Sequence, residues 1–283
     1  MSSQESILYG LIGYPVTHSI SPLMHNAAFK HFAINAEYKL FEIKPEGLED
    51  FVSSLHRYNS GGLNVTIPHK EKVIPLLDRV SPEAELFGAV NTIRIGAQGL
   101  EGFNTDGKGF LTHLTHDLHF NPQGKTIALL GAGGAAKAVV VSLAQSKPKK
   151  IAIFDVDTEK AKALVGHLRV NFRETAFTVA DSVEGLSIEQ SQLLVNATPV
   201  GMKAGDPCLV DEKLLHKDLL VYDVIYNPKE TKLLKVAHAK GARTSNGLGM
   251  LLYQGVAAFE IWTGKPAPVE LMRRALEEGV KTL

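Results

Sequence analysis

The chain has 283 residues, enough for two domains, with 30 basic side chains balanced by 30 acidic ones and a single cysteine, Cys208. This neutrality leaves no electrostatic footprint for nucleic acid or an anionic membrane, and one thiol cannot build a disulfide framework, so a small-molecule partner in a reducing compartment is expected. Residues 1–6 lack the basic and apolar stretches of a signal peptide, and no apolar run is long enough to span a bilayer, which predicts a cytoplasmic protein.

In chain order, residues 7–13 read as a short buried strand that Pro15 ends. Ser21 followed by Pro22 reads as a helix start, with the serine hydroxyl at the N-cap. Ser19 adds a second hydroxyl at the same positive helix end, a suitable place for a carboxylate or phosphate. A strand over 37–43 and an amphipathic helix over 48–58 follow. Residues 61–68 read as a strand running into a turn, which delivers Lys70 at its C-terminal end as a candidate acid/base. Helical stretches are predicted over 73–80 and 82–87. A hairpin comes next, its far strand ending in Asn104-Thr105-Asp106-Gly107. That loop is explained equally by turn chemistry and by a functional Asp106. His113, His116 and His119 recur at spacings of three, but such positions drift around a helix and no Cys or Glu completes a ligand set. A solvated helix end, with no metal, is the better reading.

Residues 122–125 punctuate the chain before an apolar run, 127–130, that stops at Gly131-Ala132-Gly133-Gly134-Ala135-Ala136 and restarts as a helix. A buried strand, a glycine turn and a helix N-terminus are how a dinucleotide pyrophosphate is held. Gly131, Ala132, Gly133, Gly134 and Ala135 are therefore candidate cofactor contacts. Further strands over 151–154, 177–179, 193–195, 220–222 and 242–244 alternate with helices, which predicts a doubly wound parallel sheet. Asp155 stands about twenty residues past the glycine loop, where the dinucleotide fingerprint places a carboxylate on the adenosine ribose. It would repel a 2′-phosphate, and residues 156–158 hold no arginine, so NAD is expected over NADP. The same residue also suits a helix N-cap. Loops 196–202, 223–228 and 247–254 each follow a predicted strand and should face the cofactor; Thr198 lies in the first. Helices over 251–262 and 269–280 are expected to return to the first domain. The fold class is thus an N-terminal α/β domain plus a Rossmann-type sheet, with boundaries at 1–112, 113–247 and 248–283.

Taken in order, Ser19-Ile20-Ser21-Pro22, Asn64-Val65-Thr66-Ile67-Pro68-His69-Lys70, Asn91-Thr92, Asn104-Thr105-Asp106-Gly107, the glycine loop, Asn196-Ala197-Thr198-Pro199-Val200-Gly201-Met202 and Gly247-Leu248-Gly249-Met250 make the chain resemble the shikimate dehydrogenases over nearly its whole length. The resemblance implies reversible reduction of the 3-keto group of 3-dehydroshikimate to shikimate, on the route to aromatic amino acids. It implies that Ser19, Ser21 and Tyr226 hold the substrate carboxylate, that Thr66, Asn91 and Gln254 bind ring hydroxyls, and that Lys70 and Asp106 are the catalytic pair. The nicotinamide would lie against Val224 and Gly247. Many NADP-using members carry Asn-Arg-Thr where this chain has Asp155-Val156-Asp157, which resembles NAD-using relatives, some of which also oxidise quinate. Quinate users tend to carry threonine in place of Ser21, so shikimate is the expected substrate. A broader quinate/shikimate dehydrogenase and a nucleotide-sensing module without turnover are the alternatives. A monomer or homodimer without nucleic acid or membrane partners is expected.

Overall fold

Seven residues, Ile7–Gly13, form β1, the strand around which the first half of the chain folds, in a computed structural model that describes residues 5–281. β1 pairs in parallel with both β2 (Ala36–Glu42) and β3 (Ser60–Val65). Flanked on both sides, its last five residues are all buried, and the apolar run has no solvent face to alternate with. α1 (Ser21–His31) and α2 (Leu48–Ser54) supply the crossovers. β4 (Arg79–Val80), α3 (Pro82–Phe87) and the antiparallel hairpin of β5 (Thr92–Gly96) and β6 (Gly99–Phe103) complete a six-stranded sheet ordered β2-β1-β3-β5-β6-β4. α4 (Asp106–Thr112) follows directly and runs on as a π turn over His113–Asp117.

The helix expected over 73–80 is replaced by a single 3-10 turn, Ile74–Leu76, and then β4. Pro75 is the reason, because it lacks an N–H and pushes the preceding residue away from helical backbone angles. The three histidines also part company. His113 is buried, with Nδ1 at 2.8 Å from the Tyr222 hydroxyl, His116 is exposed, and His119 takes a positive φ of 49° past the helix end. The solvated end expected there holds for His116 and not for His113. Among the described residues no cluster of His, Cys, Asp and Glu is arranged to hold a metal ion.

The second sheet is built from β7 (Thr126–Leu130), α5 (Gly134–Gln145), β8 (Lys150–Phe154), α6 (Thr158–Asn171), β9 (Ala176–Val179), β10 (Leu193–Asn196), β11 (Leu220–Asp223), α7 (Lys232–Ala239) and β12 (Arg243–Ser245). All its pairings are parallel, in the order β12-β11-β10-β7-β8-β9. Numbered within the sheet, that is the 3-2-1-4-5-6 order of a Rossmann fold, whose direction reverses between its first and fourth strands, here β7 and β10. Ala128 and Leu130 pack on one face with Leu194, Val221, Leu233 and Leu234.

Two long helices end the chain, α8 (Leu248–Thr263) and α9 (Val269–Val280). The chain divides into one compact unit of Met1–Gly109 with Leu251–Leu283 and another of Phe110–Met250, so the divisions fall inside α4 and α8. In the first unit α9 packs on α1, and Trp262 of α8 donates its indole N–H to the Ile93 carbonyl at 2.9 Å. No helix among the described residues is long and apolar enough to cross a membrane.

Candidate active site

In the first unit the site is built at strand ends. Ser21 is the first residue of α1 rather than its N-cap, which is Ile20, and Pro22 follows inside the first turn. The capping expected of Ser21 passes to Ser19, whose hydroxyl oxygen accepts the Ser21 N–H at 3.3 Å while its O–H donates to Ser21 Oγ at 3.2 Å. Both hydroxyls therefore sit at the N-terminus of an eleven-residue helix whose first turn carries no acidic residue. Thr66 lies one residue beyond β3, with its N–H donated to Ile12 at 2.9 Å. The turn that follows is clamped by His69, whose Nε2 donates to the Ile43 carbonyl at 2.6 Å. The Lys70 carbonyl accepts the Val90 N–H at 2.8 Å, so the backbone on which the lysine stands is held at both ends.

Lys70 Nζ donates to Asp106 Oδ2 at 2.7 Å, and the lysine side chain is 18% exposed against 9% for the aspartate. The other carboxylate oxygen, Asp106 Oδ1, accepts from Asn91 Nδ2 at 2.8 Å. Asp106 opens α4, and its own N–H is taken by Asn104 Oδ1 at 3.0 Å. Asn91 also bonds Thr105: its Oδ1 accepts the Thr105 N–H at 2.7 Å, and its Nδ2 reaches the Thr105 hydroxyl at 2.9 Å. Gln254 Oε1 lies 3.5 Å from Asn91 Nδ2. Lys70, Asn91, Asp106 and Gln254 are thus joined in one hydrogen-bonded group. Asn64, Thr92 and Thr105 belong to the same group without having been assigned a role from sequence. Polar side chains at strand positions that must be buried were the available signal.

The second unit carries the nucleotide features. Gly131 has a φ of +106°, which a side chain rarely tolerates, and a Cβ there would press on the Ala197 carbonyl. α5 begins at Gly134 with Gly133 as its N-cap, no side-chain cap and no acidic residue in its first turn. A Cβ on Gly133 or Gly134 would meet nothing, so there is open space beside the helix start, whose first N–H groups have no partner within the helix. Asp155 is spent on the loop itself, with Oδ2 accepting the Ala132 N–H at 2.7 Å and Oδ1 the Asp157 N–H at 2.8 Å. The helix cap expected of Asp155 falls to Asp157, which accepts the Lys160 N–H at 3.2 Å. Hydrogen bonds from Lys160 hold the Asp157 carboxyl below the usual range.

Thr198 is fixed by Asn196, whose Oδ1 accepts its hydroxyl at 2.7 Å. Asn196 Nδ2 donates to Asp223 Oδ1 at 3.1 Å, and Asp223 also accepts the Ile225 N–H at 3.1 Å and the Thr231 hydroxyl at 2.7 Å. This buried carboxylate, its pKa raised by desolvation, ties the loop bearing Thr198 to the loop bearing Val224 and Tyr226. Asp223→Ala would strand three donors and is expected to lower the unfolding free energy by about 2–4 kcal/mol, read from urea titration. A Cβ on Gly247 would come within 1.9 Å of the Val224 carbonyl, so those two backbones meet as only glycine permits. Tyr226 is half-buried, and burial raises its phenol pKa.

A 3-2-1-4-5-6 parallel sheet with a glycine turn at its first strand defines a dinucleotide-binding protein of the Rossmann class, here with a partly buried lysine–carboxylate pair in its other unit. Residues 11–93 match the family model described as the shikimate dehydrogenase substrate binding domain, residues 247–277 that of the shikimate 5'-dehydrogenase C-terminal domain, and residues 127–204 the saccharopine dehydrogenase NADP binding domain. A shikimate dehydrogenase (NADP(+)) of Methanopyrus kandleri is 45% identical over 98% of this chain and 97% of its own length. One from Desulforamulus reducens is 44% identical over 96% of this chain and 94% of its own. A shikimate dehydrogenase crystallised with NADP+ superposes with a TM-score of 0.90 at 40% identity, covering 97% of this chain and 96% of that one. The chain belongs to the shikimate dehydrogenase family.

The preference for NAD read from Asp155 is overturned, since these relatives are named for NADP(+) and the solved neighbour holds NADP+. The geometry supplies the reason. Each oxygen of the Asp155 carboxylate accepts a backbone N–H, from Ala132 and from Asp157, so bracing the glycine loop accounts for a carboxylate at this position without a ribose contact.

Proposed function

We propose that the protein catalyses the reversible NADP-linked reduction of the 3-keto group of 3-dehydroshikimate, giving shikimate. The observation that carries this reading is the Lys70–Asp106 contact at 2.7 Å, with Asn91 on the opposite carboxylate oxygen, in a chain of this family. Bound at the glycine loop, the dinucleotide supplies the hydride. The unpaired N–H groups of Gly134, Ala135 and Ala136 suit its pyrophosphate, and the open space over Gly133 and Gly134 admits it. Gly131 and Ala132 shape the turn, while Thr198, Val224 and Gly247 border the remainder of the cofactor. We assign contact with the 2′-phosphate to Lys160, in the first turn of α6. Its ammonium is 3.2 Å from Asp157 and largely exposed. Lys160→Ala is expected to raise the dissociation constant for NADP roughly fivefold and that for NAD hardly at all, measured by fluorescence titration.

Hydride addition to a ketone leaves negative charge on its oxygen. Lys70 Nζ donates its proton there, and the neutral amine takes it back when shikimate is oxidised. Asp106 holds the ammonium by one oxygen, and Asn91 stops the carboxylate from rotating by holding the other. Ser19 and Ser21, at the positive end of α1, take the substrate carboxylate, while Thr66, Asn91 and Gln254 take ring hydroxyls. The test is absorbance at the nicotinamide wavelength with shikimate and NADP, with quinate in a parallel arm. Shikimate-dependent reduction of NADP is the expected result; none with shikimate, or faster turnover of quinate, would overturn the assignment.

A further inference from the structure

Behind the Lys70–Asp106 pair, Asn91 is backed by a row of polar side chains, Tyr38, Asn64 and Thr92, for which substrate contact gives no account. Tyr38 of β2 is buried to 2% exposure, and its hydroxyl donates to Asn64 Oδ1 of β3 at 2.8 Å. Asn64 Nδ2 donates to the Thr92 hydroxyl oxygen at 3.0 Å and to the Asn91 carbonyl at 3.2 Å. Thr92 of β5 in turn donates to Asn91 Oδ1 at 3.0 Å, and Asn91 Nδ2 donates to Asp106 Oδ1 at 2.8 Å. The row draws on β2, β3 and β5, passes over β1 between the first two, and ends on the catalytic carboxylate. Tyr38, Asn64, Asn91 and Thr92 are all buried.

The orientation of both amides is fixed by groups that have no choice. The Thr105 N–H can only donate, so Asn91 must present Oδ1 to it and Nδ2 to Asp106. The Asn91 carbonyl can only accept, so Asn64 must turn Nδ2 towards it and Oδ1 towards Tyr38. Thr92 has a single hydroxyl proton. Its oxygen accepts the Asn64 N–H, and the proton goes forward to Asn91 Oδ1 at 3.0 Å, nearer than the Thr105 hydroxyl at 3.2 Å. A stacked imidazole, His25, holds the Tyr38 ring with centroids 4.5 Å apart and planes 9° apart.

We propose that Tyr38 and Thr92 are positioning residues for the reaction, acting through Asn64 and Asn91 to fix the rotamer of Asp106 and thereby the place of the Lys70 ammonium. Without the Tyr38 hydroxyl, Asn64 Oδ1 loses its donor, and the amide whose Nδ2 holds the Thr92 oxygen and the Asn91 carbonyl is no longer anchored at its other end. Asn91 Oδ1 then keeps its bonds to Thr105, while the Thr92 hydroxyl that locks its far side is held less firmly. Buried chains of this kind are cooperative, so their members do not contribute independently.

This inference rests on the proposed function, and the test separates the two. Tyr38→Phe and Thr92→Val are each expected to lower kcat about threefold to tenfold with KM for shikimate and NADP within about twofold, and Thr92→Ser is expected to restore the rate. The double variant is expected to lose no more than about the worse single one, because the two hydroxyls act in series. Additive losses, or a rise in KM with kcat unchanged, would overturn the proposal. A second readout needs no turnover: hydrogen exchange of the Asn91 side-chain amide, followed by nitrogen-15 NMR, is expected to quicken in Tyr38→Phe. If the unsubstituted enzyme leaves shikimate unchanged, the function fails and the exchange measurement alone decides the chain. Unchanged Asn91 exchange in Tyr38→Phe would overturn it.

Discussion

Lys70→Ala is expected to lower kcat by about a hundredfold to ten-thousandfold while shifting KM for shikimate only slightly, the range associated with removal of a positioned general acid. The fold should tolerate the change. Lys70 is 18% exposed at its side chain, and Asp106 without it still accepts from Asn91 and can reach water. Lys70→Arg separates the two tasks assigned to the lysine. Arginine keeps a positive charge beside the developing alkoxide but does not release a proton at any working pH, so it should restore electrostatic stabilisation and little proton transfer. A rate close to that of the alanine variant would assign the effect to proton donation, and a rate close to the unsubstituted enzyme would assign it to charge. Equal losses in binding with kcat retained would reduce Lys70 to a substrate clamp. Steady-state kinetics in both directions decide among these.

How far the site could be read from residues depended on whether its signal was local. The Rossmann sheet announced itself because an apolar strand, glycines and a helix are consecutive, and Gly131 indeed needs its positive φ. Lys70 and Asp106 stood at predicted strand and loop ends, but their 2.7 Å contact joins residues 36 apart, and only the sheet order places β3 next to β5 and the hairpin. Asp155 was misread for the same reason in reverse. Its spacing from the glycine loop suited a ribose ligand, yet where a carboxylate points depends on which N–H groups surround it, and Ala132 and Asp157 take both its oxygens. Asn64 and Thr92 stood in motifs that carry the family resemblance without a role of their own, and Tyr38 read as an ordinary aromatic strand residue. Their importance appears only when the sheet order brings β2, β3 and β5 into one sheet, with β1 between the first two. Ser21 illustrates a smaller displacement, since helix starts shift by a residue without altering the chemistry offered at the helix end.

A second large effect is expected in acid, and it comes from His25. This residue of α1 is fully buried among Phe29, Tyr38 and Trp262, and neither ring nitrogen has a hydrogen-bond partner among the described residues. The side chains packed around it are aromatic, with no carboxylate to favour its charged form. Desolvation lowers its pKa from 6.5 to about 3. Between those values the unfolded chain binds a proton that the folded chain refuses, so stability rises with pH through that window, is fully present above 6.5 and is lost as pH falls towards 3. At pH 5 the loss attributable to this one ring is about 2 kcal/mol. Asp223 works the other way, because burial raises its pKa and protonation then favours the folded state. The comparison must therefore be made between variants and not from one curve. His25→Leu keeps an apolar side chain in the same packing and removes the titration. Urea unfolding at pH 7 and pH 5 should show the unsubstituted protein losing about 2 kcal/mol more than the leucine variant over that interval, whereas parallel losses would mean that the imidazole is charged, or hydrated, inside the fold.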